Sequence, residues 1–434
     1  MTQSDSYERM DRENLEQVQV ERLQATLNRA VQNVAFYRDT YESLGIDIGK
    51  VKSLADLSEL PFTTKEDLRR SYPYGMFAVP LKDIVRIHST SGSTGKPVVV
   101  GYTANDISVW TGLTARVLRG AGVTETDLAQ IGFNYNLSSA GLGLHYGAER
   151  IGASVIPSSG ESVAKQVAVM RDYKTTVLVG TPSYALHVAS YLREAGIHPE
   201  ELRLRAGLFG AERWSEAMRD EIERGLHIKA YDNYGLTELM GPGVSFECLE
   251  RNGLHVNEDH FIMEIVDPVS LKPLAPGEEG ELVFTTLTKQ GFPLIRYRTG
   301  DVSSLLEGEC PCGRKTARMR RVSGRIDDMI IVDGVNVSPS QIEEVILKVE
   351  GIEPHYRIIV DRVDGTDTIE VQAEVSGDFP YLDEPVKVAS IRSCLQASLD
   401  ESLGVRTRAT LVERMTLERS EGEKLRRVID RRPK

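Results

Sequence analysis

The sequence predicts an α/β protein: a large N-terminal α/β domain with mixed sheets over residues 1–325, then a small C-terminal α+β domain over residues 326–434. Three observations predict it. Short apolar runs, "LAQIGFN", "ASVIPSS", "TTVLVGT" and "LRAGLFG", alternate with amphipathic stretches, the pattern of a largely parallel sheet covered by helices. Between Gly280 and Asp301 the pattern changes to "GELVFTTLT" and "GFPLIRYRTGD", which reads as antiparallel strands. After Arg325 a shorter unit follows, with its own hairpin and helix patterns.

The elements run in this order. Residues 1 to 80 read as helices and connections, with the threonines of "PFTTKEDLRR" ahead of an acidic first turn, a helix-start signal. "VRIHS" and "PVVVGYT" read as strands around a loop, and "DISVWTGLTARVLRGAG" has helical spacing and ends in glycine. The parallel strands follow, with "SYALHVASYLREAG" and "RWSEAMRDEIERG" as helices between the later ones. Ligands of such sheets sit at the carboxyl ends of the strands, which here carry "NYNLSSAG", "GTPSY", "GAERW" and "YDNYGLTE". In the small unit, "HYRIIVDRVDGTDTIEVQAEV" reads as a hairpin with Asp364-Gly365 in its turn. A helix near 385–404 and one more strand complete it, and the basic tail "KLRRVIDRRPK" reads as a solvated terminus.

Bulk properties exclude several classes. A formal net charge of −12 argues against a nucleic-acid partner, because phosphate backbones reward clustered Lys and Arg. Four cysteines in 434 residues point to a reducing compartment rather than a disulfide scaffold. The N-terminal stretch has no apolar signal core, and no run approaches the ~20 apolar residues of a membrane helix. The expectation is a cytoplasmic protein without a membrane partner.

The stretch "HSTSGSTGKPVVVGYT", His88 to Thr103, concentrates hydroxyls, glycines and a lysine between two strands. It is not a Walker A loop, which has four residues before its Gly-Lys pair and then opens a helix. Here only Ser93 and Thr94 separate Gly92 from Gly95, and Pro97 and a valine run follow Lys96. Thr90, Ser91, Ser93 and Thr94 can donate to phosphate oxygens, Gly92 and Gly95 admit close backbone approach, and Lys96 adds charge. A polar turn between hairpin strands has the same composition.

Seven segments, taken together and in order, decide the matter. They are this loop, "GLGLHYGAERIGASVIPSSG", "LFGAERW", "YDNYGLTELMGPG", "RYRTGD", "GRIDDMIIVDGVNVSP" and "SEGEKLRRVIDRR". The chain resembles the phenylacetate–CoA ligase family of adenylate-forming enzymes over nearly its whole length. That resemblance implies ATP-dependent ligation of an aryl acid to coenzyme A, through an acyl-AMP intermediate with release of pyrophosphate and AMP. It also implies a mobile small domain and a homodimer.

Carried onto this sequence, the resemblance implies the following roles. The loop residues clamp the departing pyrophosphate. Glu238 binds Mg²⁺, a hard ion suited to oxygen ligands. Asp232, Asn233 and Tyr234, with Gly235 and Thr237 beyond them, line the adenine, and Gly210, Ala211 and Glu212 form its other wall. Asp301 accepts the ribose hydroxyls, Arg325 lies at the domain junction, and Asp327 is the hinge. Lys424 reaches in from the small domain to stabilise charge during adenylation. The family usually has glycine directly before this lysine; here Glu423 stands there, with Gly422 one residue back.

Two further features carry chemistry. Cys310 and Cys312 form a tight C-x-C turn, and Cys248 and His255 lie close together earlier. They offer the three-sulfur, one-nitrogen donor set of a structural Zn²⁺ site; reduced loop cysteines are the alternative, and His260 competes with His255 as ligand. The aryl pocket is expected at Tyr135, Asn136, Ser138, Ala140 and Gly141. In phenylacetate ligases the comparable stretch resembles "GYGLFTGGLG", which sets Ser138 at a substrate-packing phenylalanine. Loss of that ring opens volume and adds polarity, so a larger or polar-substituted aryl acid, such as a hydroxy- or amino-substituted one, is expected; the alternative is that Tyr135 or Tyr146 fills the space and phenylacetate remains the preferred acid. Three other readings stand beside the CoA ligase: loading of a carrier-protein thiol, a non-catalytic nucleotide-binding homologue, and a hydrolase using His145 with Ser138 or Ser139, without a G-x-S-x-G elbow.

Overall fold

The computed structural model describes residues 7–90, 96–326, 330–332, 335–363, 366–376, 385–420, 425 and 427–432. Ser91 to Gly95, Asp327, the turn pair Asp364-Gly365 and Lys424 lie outside the described residues.

The chain opens with helices α1 (Arg12–Asn33), α2 (Ala35–Ser43) and α3 (Lys65–Arg70). Thr64 caps α3 in a reciprocal box with Asp67, as the "TTKED" pattern requires. Strands β1 (Arg86–Ser89) and β2 (Val99–Tyr102) then pair antiparallel around the hydroxyl-rich loop, so it is a strand–loop–strand unit. The next elements are α4 (Ala104–Gly120), β3 (Leu128–Ile131), α5 (Ala140–Ile151), β4 (Ser154–Pro157) and α6 (Val163–Tyr173). They are followed by β5 (Val177–Gly180), α7 (Pro182–Glu194), β6 (Ala206–Gly210), α8 (Glu216–Leu226), β7 (Lys229–Leu236), β8 (Gly241–Glu247) and β9 (Leu254–Val256).

A smaller sheet begins with β10 (Phe261–Val266), β11 (Gly280–Thr286) and β12 (Tyr297–Ser303). The short strands β13 (Leu305–Leu306), β14 (Arg318–Met319) and β15 (Gly324–Arg325) follow. Beyond them lie β16 (Ile330–Val332), β17 (Val335–Val337), α9 (Pro339–Lys348), β18 (Ile352–Val363), β19 (Thr366–Val375), α10 (Pro385–Leu403), β20 (Thr407–Val412) and β21 (Val428–Asp430).

The central sheet has nine strands in the order β13-β14-β9-β8-β7-β6-β5-β3-β4. It is parallel from β4 to β7 and antiparallel from β7 to β13, so the sheet is mixed. The parallel strands β5 and β6 are buried along their whole length, which explains why they read as continuous apolar runs. A second, antiparallel sheet, β10-β11-β12-β15, ends at Arg325. The C-terminal unit has its own buried core, from Ile330 to Leu411, around the sheet β20-β19-β18-β21.

The tail corrects the sequence reading. Val428–Asp430 pairs parallel with β18, and Arg427 and Arg432 pair with Glu343 and Asp367. Within the basic tail, residues 428–430 are a sheet strand flanked by ion pairs rather than a wholly solvated stretch. Three apolar-to-acidic residues among arginines are too short a run to show strand periodicity.

Candidate active site

Among the described residues, several expected site residues lie at the carboxyl ends of the parallel strands. Gly210 ends β6, Asp232 to Gly235 close β7, and Tyr135 to Gly141 lead from β3 into α5. Three of these positions are fixed by sterics. A Cβ on Gly210 would lie 2.4 Å from Asn233 O, and one on Gly141 2.8 Å from Asn134 O. At Gly235 it would lie 1.9 Å from Gly241 O. Only glycine fits there, and the β7–β8 register shifts between Tyr234 and Gly235; pairing resumes to Leu236, and Thr237 to Met240 form the turn between the two strands. Ala211 holds the left-handed φ of +64° beside Gly210, a conformation that costs a non-glycine residue energy.

Glu238 is 4% exposed. Its carboxylate meets Lys65 Nζ at 3.4 Å, and the Tyr297 hydroxyl lies 3.5 Å away. Beneath its turn, consecutive backbone carbonyls receive buried side-chain donors. Tyr102 Oη donates to Thr237 O and Met240 O at 3.3 Å each. Lys289 Nζ donates to Glu238 O at 3.3 Å and Leu239 O at 2.7 Å, and Trp110 Nε1 to Pro242 O at 3.0 Å. Lys289 is fully buried, 4.4 Å above the Tyr102 ring. Burial pushes its ammonium down to about 7, against the pull of the Asp106 and Glu238 carboxylates. Thr237 Oγ1 also meets Ser139 Oγ at 3.0 Å, which ties this turn to the expected aryl wall. Sequence reasoning missed Lys65 and Lys289, because neither "TTKED" nor "LTKQG" differs locally from a surface lysine.

The β12–β15 pairing sets Arg325 opposite Asp301, and the two form an ion pair at 2.5 Å. Tyr234 donates its phenol to the other Asp301 oxygen at 2.7 Å. Burial and the Asp301 charge hold that phenol well above its ordinary value, so it remains a donor. Asp232 is held differently from a free pocket wall. Its carboxylate takes Arg321 Nε at 2.9 Å, and that guanidinium stacks 4.3 Å over Trp214. Asn233 donates to Phe209 O at 2.8 Å.

Glu212, half-buried, is engaged as well. It accepts from Ser183 Oγ at 2.5 Å, Ser183 N at 3.2 Å and Leu425 N at 2.6 Å. Thr90 pins the neck of the hydroxyl-rich loop, since its Oγ1 accepts from Val98 N at 3.0 Å. Lys96 is exposed, 5.5 Å above the Tyr72 ring.

In the aryl stretch, Ser138 is exposed, with its N–H given to Asn136 Oδ1 at 2.9 Å. Tyr135 Oη and His145 Nδ1 are 3.0 Å apart, and His145 Nε2 meets Glu149 at 3.1 Å. His145 is therefore engaged by Tyr135 and Glu149, and no hydrogen bond joins it to Ser138 or Ser139 among the described residues. The hydrolase reading has no nucleophile–base pair.

The cysteine cluster is assembled at the far end of the central sheet. Cys248, His255, Cys310 and Cys312 offer ligand atoms that all lie within 4.8 Å of one another. A tetrahedral ion with Zn–S ≈ 2.3 Å and Zn–N ≈ 2.0–2.1 Å has edges of roughly 3.8 Å (S–S) and 3.6 Å (S–N). The cluster shows Cys248 Sγ to Cys310 Sγ at 3.7 Å and Cys312 Sγ to His255 Nε2 at 3.4 Å. Burial beside Arg314 and Arg318 pushes the His255 imidazole down to about 3, which keeps it neutral, as a ligand must be. Its Nδ1 meets Thr316 Oγ1 at 3.2 Å, the second contact that orients a ligating ring. His260 instead meets Asp259 at 3.1 Å and Thr288 at 2.7 Å. Donor set and spacing fit zinc, with His255 rather than His260 as the nitrogen donor.

The AMP-binding enzyme family model matches residues 17–287, and that of the AMP-binding enzyme C-terminal domain matches residues 334–432. The phenylacetate–coenzyme A ligase of Escherichia coli is 46% identical over 433 residues, spanning 99% of this chain and 98% of that one. The chain belongs to the phenylacetate–CoA ligase family of AMP-binding enzymes. Solved structures separate two arrangements of the fold. A 2-hydroxyisobutyryl-CoA ligase in its postadenylation state with R3-HIB-AMP superposes with a TM-score of 0.90 at 27% identity, covering 99% of this chain and 94% of that one. The same ligase with 2-HIB-AMP and CoA in its thioesterification state gives 0.73 at 29% identity, covering 100% and 94%. The fold of this member of the phenylacetate–CoA ligase family thus superposes more fully on the postadenylation structure of that ligase than on its thioesterification structure. No helix among the described residues is long and apolar enough to cross a membrane.

Proposed function

We propose that the chain is an AMP-forming aryl-acid–CoA ligase. In the first half-reaction an aryl carboxylate oxygen attacks the α-phosphorus of ATP, and the bond to pyrophosphate breaks. In the second the coenzyme A thiol, losing its proton, attacks the acyl carbon and AMP leaves. The observation that carries the reading is the Asp301 carboxylate, fixed by Tyr234 and Arg325. A carboxylate oxygen is the acceptor that ribose hydroxyls require, and these two contacts set its orientation.

Around it, each residue has a task. Glu238 would hold Mg²⁺, which when bound neutralises the triphosphate; its carboxylate, paired with Lys65 in this structure, is the hard oxygen donor that such an ion takes. Thr90, Ser91, Ser93, Thr94 and Lys96 clamp the leaving pyrophosphate. Lys424 supplies charge to the adenylation transition state, and Asp327 is the hinge between residues 1–325 and the small domain, residues 326–434. Zn²⁺ at Cys248, His255, Cys310 and Cys312 is structural, supported by the spacing of the four donors. A cytoplasmic location fits four cysteines of which none is in a disulfide, and a homodimer belongs to the reading through the family alone. A substituted aryl acid is favoured because Ser138, where the family has a phenylalanine, is exposed, while the Tyr135 hydroxyl is engaged by His145 and the Tyr146 ring lies under Arg86.

The test is the Lys424→Ala variant, assayed in each half-reaction. Acyl-AMP formation should fall by ~10²–10³, with thioester formation from supplied acyl-AMP kept. Equal loss in both would contradict the role of Lys424.

A further inference from the structure

The described residues on either side of Lys424 in the sequence, Ser420 before it and Leu425 and Arg427 after it, are all held at one place on the large unit. Before it, Ser420 is 4% exposed. Its carbonyl accepts from His187 Nδ1 at 3.1 Å, and its hydroxyl meets Thr181 Oγ1 at 3.3 Å. After it, Leu425 gives its backbone N–H to Glu212 Oε1 at 2.6 Å. Arg427 donates to Ser183 Oγ at 2.9 Å and to Glu343 of its own unit at 3.0 Å. Thr181, Ser183 and His187 all belong to the N-cap and first two turns of α7. Glu212 is itself bound there, with its second oxygen on the Ser183 hydroxyl and N–H.

We infer that Glu212 is the positioning residue that presents Lys424 for adenylation, by holding the peptide directly after it. The inference rests on the ligase reading and on the role of Lys424 within it. Consecutive Cα atoms are about 3.8 Å apart, so a bond to Leu425 N fixes the backbone one peptide from the lysine. The acceptor is ionised, which makes the bond stronger than a neutral one. Ser183 links the two fastenings, because it donates to Glu212 and accepts from Arg427. Glu212 thus joins the two units, and the inference requires that its bond to Leu425 be lost when the small unit rotates. An interaction made in one arrangement only stabilises that half-reaction selectively.

The experiment uses the full chain with the aryl acid that the wild type turns over fastest, and the adenylate of that acid. In Glu212→Ala, kcat for pyrophosphate release should fall about 10- to 100-fold, the loss expected for one hydrogen bond to a charged group. KM for ATP should stay near wild type, and thioester formation from the supplied adenylate should be unchanged or faster. Glu212→Gln, which keeps one acceptor oxygen for Leu425, should recover most of the loss. A raised KM for ATP with kcat intact would overturn the inference in favour of a nucleotide contact. Equal loss in both half-reactions would overturn it in favour of a purely structural role. If the wild type releases no acid-dependent pyrophosphate, the ligase reading itself falls; a wild type that is active while Glu212→Ala behaves like it sinks this inference alone.

Discussion

The phenol of Tyr234 donates to Asp301 at 2.7 Å, on the oxygen not taken by Arg325. The two donors come from different sheets, since Tyr234 is on β7 and Arg325 on β15. They fix the carboxylate plane before any nucleotide arrives, and such preorganisation lowers the cost of binding.

Asp301→Asn should therefore lower kcat/KM for ATP by about 10- to 100-fold, because an amide nitrogen would face Tyr234 or Arg325 and one acceptor is lost. ATP titration of pyrophosphate release measures it. Unchanged ATP dependence would remove the ribose assignment.

Lys289 gives stability a pH signature. Its group titrates near 7 in the folded chain against an ordinary value of 10.5. Between those values the unfolded chain holds a proton that the folded one lacks, so this lysine makes stability rise with pH, by up to about 1.4 kcal/mol per unit. Below pH 7 it adds no slope. Lys289→Met should lose that rise and, near pH 9, be destabilised by ~1–3 kcal/mol through the unpaired Leu239 carbonyl. Denaturant unfolding of both proteins across this window decides it; parallel pH profiles would contradict the buried, depressed lysine.

Cys312→Ser should lose the metal and several degrees of thermal stability, with adenylation chemistry qualitatively kept, because the cluster lies at β9 and β14, on the side of the sheet away from β6. Elemental analysis of wild type purified without chelator should find about one zinc per chain. Its absence would return the cysteines to ordinary reduced thiols.

For the acid, 4-hydroxyphenylacetate or its amino analogue should exceed phenylacetate in kcat/KM. Ser138→Phe should restore ring packing and shift the ratio toward phenylacetate by ~2- to 10-fold, the equivalent of 0.5–1.5 kcal/mol. A wild-type preference for phenylacetate would refute the pocket argument.

The layout of the fold was legible because its signals are local. Buried parallel strands read as apolar runs, Thr64 and Asp67 spell a cap, and the change at Gly280 marks antiparallel pairing. The Cys310-Pro311-Cys312 turn likewise advertised its donors, though only packing could choose His255 over His260. What stayed hidden depends on distant partners. The tail's strand exists because β18 offers an edge, Lys289 is buried because the carbonyls of residues 238 and 239 need a donor, and Glu212 is engaged because α7 and Leu425 reach it from opposite directions. None of these has a periodicity or a spacing to read.

The central claim is that acid activation and thioester formation are two steps of one AMP-forming ligation. Its most direct test is the purified chain with ATP, Mg²⁺ and a panel of aryl acids, with and without coenzyme A, followed for pyrophosphate, AMP and acyl-CoA. The account predicts acid-dependent pyrophosphate without coenzyme A, limited to about one turnover by retained acyl-AMP, and sustained release with equal AMP and acyl-CoA once it is added. Failure of every aryl acid to elicit pyrophosphate, or sustained turnover that coenzyme A does not change, would contradict it.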